Sequence, residues 1–73
     1  MPLVDVKSDI AGKVWKIEKQ AGEAVDEDEP VMILESMKME IPVLSPRKGS
    51  VHELRVAEGD SVEEGQVVAR LTV

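Results

Sequence analysis

Cysteine is absent from this sequence, which excludes disulfides and thiolate metal sites alike. The absence matters in a chain of 73 residues, a size at which a core alone barely holds a fold and staples are common. One histidine, His52, is too little for a zinc site, so no metal is expected. Phenylalanine and tyrosine are missing, and Trp15 is the single aromatic residue. No platform exists on which unpaired bases could stack. Basic charge is scarce: nine Lys and Arg against fifteen Asp and Glu give a net charge of −6. That balance is wrong for gripping a phosphate backbone. No apolar run reaches the length of a membrane span, and "MPLVDVKSDIAG" lacks the basic-then-apolar order of a signal peptide. The expectation is an acidic, cytoplasmic single domain, monomeric in isolation, with neither nucleic acid nor membrane among its partners. Lack of cysteine fits a reducing compartment. Stability must come from economical backbone geometry and one compact apolar core.

What the chain does have is an internal repeat. Shifted by 37 residues without a gap, "SDIAGKVWKIEKQAGEAVDEDEPVMILE" (8–35) falls on "SPRKGSVHELRVAEGDSVEEGQVVARLT" (45–72). Ser8 meets Ser45, Gly12 meets Gly49, Val14 meets Val51, Gly22 meets Gly59 and Leu34 meets Leu71. Agreement falls on glycines and aliphatics, the residues that set turns and fill cores. The halves run roughly over 4–37 and 41–73, within one domain covering 1–73.

Each half reads as β. Short runs of Val, Ile and Leu alternate with Gly-acid turn signals, "AGEAV" and "EGDSV". Gly22 and Gly59 are expected to adopt positive φ at tight turns. The acid-rich stretch "EAVDEDEP" reads as a solvated loop rather than a helix or a cation site, since it lacks the ligand spacing of a calcium loop. Val14 and Ile17 are shared apolar positions three apart, so a regular strand would put them on opposite faces. A bulge is predicted between them. Two four-strand halves, each too small to bury its own apolar face, should close on one another, removing most exposed strand edges. The fold class is all-β: a flattened eight-stranded barrel-sandwich of two four-stranded antiparallel sheets with a pseudo-twofold repeat.

At the junction of the halves lies "VMILESMKMEIPVL". "VMILE" and "MEIPVL" read as strands, which puts Lys38 at the tip of a tight hairpin with Pro42 on an edge or bulge of the return strand. The opposite end should gather the Gly22 and Gly59 turns with the termini. Met37 and Met39 flank the lysine, and alternation should not bury both. Exposed thioethers suit a surface read by several partners. Core filling is the usual role of methionine and the minority reading here, whereas Met32 within "VMIL" belongs to the core. Trp15 is expected to pack half-buried on a strand, with a partner contact as its lesser reading, and His52 to lie on a strand surface.

"ESMKME" midway along a β-repeat resembles the biotin-attachment motif of biotin carboxyl carrier domains, which occur in acetyl-CoA, propionyl-CoA and pyruvate carboxylases. The likeness covers essentially the whole chain. It implies that Lys38 carries covalent biotin, with Glu35, Ser36, Met37, Met39 and Glu40 read by the modifying enzyme. The implied partners are a biotin protein ligase, a biotin carboxylase and a carboxyltransferase, and the domain itself is a non-catalytic carrier. The gapless repeat leaves no room for a protruding segment, so the chain resembles the thumbless type and the small free-standing attachment proteins. Lipoyl carriers are similar in fold, and lipoate on Lys38 is the alternative. Asp before the lysine and often Ala after it are typical there, whereas both neighbours here are Met. An unmodified docking domain ranks below both carriers. With no second His and no Cys, a catalytic triad has no support.

Overall fold

The computed structural model describes residues 2–73 and contains eight strands. They are β1 (Leu3–Lys7), β2 (Gly12–Ile17), β3 (Ala24–Val25), β4 (Pro30–Ser36), β5 (Met39–Leu44), β6 (Gly49–Leu54), β7 (Ser61–Val62) and β8 (Val67–Thr72). They build two four-stranded sheets, ordered β1-β8-β6-β3 and β5-β4-β2-β7, with every pairing antiparallel. Offsetting the chain by 37 residues carries β2, β3 and β4 onto β6, β7 and β8, and one sheet onto the other. The halves close by exchanging strands, each sheet taking two from each half. Edges are therefore retained: β3 and β7 are two residues long, and Pro42 sits on edge strand β5 opposite Ile33. Short edges and edge prolines both discourage pairing with a second chain.

The predicted bulge is present. Register slips between Val14 and Lys16 where β2 pairs with β4, and between Val51 and Glu53 where β6 pairs with β8. The extra residue, Trp15 or His52, lets Val14 and Ile17 both serve the core; Val14 is buried and Ile17 packs against it. Twelve apolar side chains fill the space between the sheets, Leu34 and Leu71 among the fully buried. Close approach fixes Gly49 and Gly12. A Cβ on Gly49 would collide with the Thr72 carbonyl oxygen, and one on Gly12 would lie 2.9 Å from the Glu35 carbonyl oxygen.

Gly22 and Gly59 do have positive φ, but their turns are not brought together. Gly59 N–H donates to Val14 O on β2, whereas Gly22 N–H donates to Val51 O on β6 in the other sheet. The twofold relation separates equivalent turns instead of clustering them. The termini do meet, with Leu3 paired to Thr72 and Val73 N–H donating to Pro2 O. Nor is "EAVDEDEP" all loop, since Ala24–Val25 forms β3. The rest of it is a turn in which Asp26 N–H donates to Glu29 Oε1 and Glu29 N–H to Asp26 O. The repeat rebuilds that turn at 63–66, with Gln66 in the role of Glu29. The backbone bond from Asp26 holds the Glu29 carboxyl below its ordinary value, and Lys19 at 3.4 Å adds to the effect.

Two predictions follow from comparing these turns. Asp28 has φ 66° where its counterpart Gly65 has φ 83°, and its carboxylate has no hydrogen bond or ion pair among the described residues. Asp28→Gly should relieve left-handed strain and raise stability by about 0.5 kcal/mol, read in urea unfolding. Glu29 has a lowered folded-state pKa, so its contribution is present above the ordinary glutamate value and lost as pH falls through the lowered one. Glu29→Gln keeps the turn bond, as Gln66 does, and should flatten the acid limb of the stability profile.

Candidate functional site

Strands β4 and β5 pair from Pro30↔Leu44 to Ser36↔Met39, leaving a loop of two residues, Met37 and Lys38. Both have left-handed backbone, at φ 51° and 65°. Positive φ at both central positions is the signature of a type I′ turn, whose twist matches that of the flanking strands. Such turns favour Asn and Gly because a Cβ in this region costs about 1–2 kcal/mol per residue. The strain is held because β4 is a central strand anchored by Val31, Met32 and Leu34 in the core. Non-glycine residues kept in strained positions are a pointer to a functional tip.

Lys38 and the five residues expected to be read around it, Glu35, Ser36, Met37, Met39 and Glu40, lie at this tip. Lys38 is exposed, Met37 is 93% exposed and Met39 62%, so the core reading of the two methionines fails. Ser36 ends β4 and Met39 begins β5, which makes the loop one residue shorter than "SMK" suggested. Glu35 and Glu40 face each other in register, one pair below the tip. Like charges so placed oppose pairing, and neither side chain has an ion partner among the described residues. Two unpaired carboxylates flank one exposed amine.

For one neighbour, Trp15, a partner contact is the lesser reading of the sequence and half-buried packing the favoured one. Trp15, 51% exposed, shares a shallow surface depression with Lys13, Glu35 and Gly59. The signal was the odd spacing of Val14 and Ile17, which implied a bulge without showing that its extra residue sits beside the tip. His52, the counterpart, is exposed, with Nδ1 3.5 Å from Thr72 Oγ1. Among the described residues no His, Cys, Asp or Glu cluster could hold a metal, and no helix is long and apolar enough to cross a membrane.

Chemically, the tip can present one primary amine on a rigid support, and no base or nucleophile pair accompanies it. If the tip carries backbone strain for a purpose, the ideal turn should be the more stable one. Met37→Asn with Lys38→Gly is expected to stabilise the domain by about 1 kcal/mol, raising Tm by ~4–8 °C in a thermal melt.

The family model described as "Biotin-requiring enzyme", a biotin and lipoyl attachment model, matches residues 3–71. The biotin/lipoyl attachment protein of Bacillus subtilis is 45% identical over 67 residues, covering 92% of each chain. The urea carboxylase of Kluyveromyces lactis superposes with a TM-score of 0.92 at 30% identity, covering 99% of this chain and 6% of that one. The lipoyl domain of the Azotobacter vinelandii 2-oxoglutarate dehydrogenase complex gives 0.77 at 32% identity, covering 96% of both. With its two four-stranded sheets and single hairpin amine, this chain belongs to the biotin/lipoyl attachment family of non-catalytic carrier domains.

Proposed function

We propose that the whole chain, 1–73, is a biotin carboxyl carrier whose Lys38 is acylated by a biotin protein ligase. It would then serve a biotin carboxylase and a carboxyltransferase of the acyl-CoA or pyruvate carboxylase type. The observation that carries the reading is the placement of Lys38 in a two-residue turn, between two exposed methionines. Lys16 and Lys19 are engaged by Glu18 and Glu29, Lys7 and Lys13 lie within strands, and Lys48 is exposed in the bend before β6, away from any two-residue hairpin.

The residues fit a covalently tethered group. The Lys38 ammonium gives up a proton and its nitrogen attacks the acyl carbon of the biotinyl adenylate that the ligase presents, so that the acyl–phosphate bond breaks, AMP leaves and an amide forms. The chain supplies no base for this step, so the ligase must. Acylation removes one positive charge, taking the chain from −6 to −7. Met37 and Met39 offer adaptable apolar contacts on both sides of the amine, while the I′ turn fixes the direction in which the arm leaves. Once bound, biotin accepts and releases a carboxyl group on its ureido ring. The domain contributes presentation, keeping the arm at high effective concentration for successive sites.

A second reading, lipoate on Lys38, is favoured by the likeness to the Azotobacter vinelandii lipoyl domain. Both neighbours of the lysine being Met weighs towards biotin. Incubation with a biotin protein ligase, ATP and biotin should add one biotinyl increment to the intact mass, mapped to Lys38 and missing in Lys38→Ala. An increment only with a lipoate ligase would transfer the assignment to acyl-carrying complexes, and none with either would overturn the carrier reading.

A further inference from the structure

The twofold repeat supplies an internal control for the surface. Outer positions of the two sheets correspond one to one, so any difference between them is a difference in use rather than in backbone. On the β1-β8-β6 sheet, Asp5 and Glu53 both pair with Arg70, and Arg70 Nε lies 3.1 Å from Asp5 Oδ1 and Nη1 3.8 Å from Glu53 Oε1. His52 occupies the bulge beside them. Asp5, Arg70 and Glu53 on this outer face satisfy one another. At the corresponding places on the β5-β4-β2 sheet stand Pro42, Ile33 and Lys16, with Trp15 in the bulge; Lys16 Nζ lies 3.3 Å from Glu18 Oε1. The next outer position along the edge strand is Lys7 on the first sheet and Leu44, 45% exposed, on the second. Two of the three members of an ion-paired row, Asp5 and Arg70, are replaced by the apolar Pro42 and Ile33.

That altered row lies on the sheet whose central pair ends in the hairpin. Ile33 is two residues before Glu35 on the same face of β4, and Trp15 shares its depression with Glu35. The two unpaired carboxylates, Glu35 and Glu40, therefore form the edge of the row nearest the lysine. Area gives the second argument. A specific complex buries ~800 Å² per partner from about 20–30 residues a side, and a four-residue tip cannot supply that. A protein that closes on Lys38 must rest on the flanking strands as well.

We infer that the outer face of the β5-β4-β2 sheet, centred on Trp15, Ile33 and Pro42, is the docking surface for the ligase that acylates Lys38. The partner surface would be apolar at its centre, with Lys or Arg set against Glu35 and Glu40. This rests on the attachment reading above and adds where the enzyme sits. Opposite charge at the tip fixes orientation and raises the encounter rate, while the desolvated Trp15 is the type of residue that dominates binding energy.

The repeat also designs the test. Trp15→His, Ile33→Arg and Pro42→Asp together install on this face three of the four residues that the same backbone carries on the other, Lys16 being kept in the place of Glu53. The exchanged protein should keep its circular dichroism and unfold cooperatively. Steady-state acylation of Lys38 should show KM for the protein raised at least tenfold and kcat within twofold. Arg70→Ile, on the opposite face, should leave both unchanged. Should the triple variant fail to fold, Ile33→Arg alone carries the measurement. Amide shifts of the ¹⁵N-labelled domain on titration with ligase should extend through 13–16, 30–35 and 40–44. A KM within twofold of the parent, or shifts confined to 36–39, would overturn the docking face while leaving the attachment reading intact. Failure of the parent itself to accept an acyl group from either ligase is the separate result that sinks attachment.

Discussion

Everything in this domain depends on a core that neither half can make alone. Each sheet takes two strands from each half, so the twelve buried apolar side chains come together only when both halves are in place. Burying a side chain such as Leu34 or Leu71 stabilises by about 1.5–3 kcal/mol, a large share of what a domain of this size retains. Interleaving thus replaces the disulfide or metal that small folds often need. It also ties the site to the fold. Strand β4 is central in its sheet and contributes three core residues, and its last residue is the first of the hairpin turn.

Strain at the tip becomes intelligible on that footing. Met37 and Lys38 both occupy backbone regions that suit glycine or asparagine, and Glu35 faces Glu40 immediately below. Each feature works against the hairpin, and the anchored strands tolerate both. A carrier gains from the arrangement. An amine on a fixed turn leaves in one direction with defined neighbours, and mobility is confined to the arm added later. Recognition and reach are thereby divided between protein and cofactor.

Much of this was legible in the sequence because the repeat exposes its own grammar. Gap-free agreement at Gly12 and Gly49, Val14 and Val51, Leu34 and Leu71 located strands, turns and core together, and the spacing of Val14 and Ile17 located the bulge. Lys38 stood out because the junction of two β-halves must be a hairpin. Strand exchange between the sheets did not show, since pairing partners are set by three-dimensional closure and the repeat is silent about them. The separation of the Gly22 and Gly59 turns follows from that exchange and was hidden with it. Trp15 was hidden for a different reason: a bulged residue obeys neither face of the strand alternation, so its neighbours cannot be counted along the chain.

A symmetric scaffold with one lysine on its hairpin must break its symmetry somewhere, and the places where it does are informative. The chain ends occupy the position equivalent to the hairpin, with Val73 and Pro2 meeting as Ser36 and Met39 do. Near that end the exposed row is Asp5, Arg70 and Glu53, joined by ion pairs. Exposed pairs of this kind add little stability, but they leave no apolar surface for another protein to cover. Near the hairpin the same row is Pro42, Ile33 and Lys16 with Trp15 bulged beside it, and the acids beyond it are unpaired. Folding alone would be served by either solution on either face. The ion-paired row lies towards the plain end, whereas Ile33, Pro42 and Trp15 lie towards Lys38, the arrangement that the proposed docking face requires.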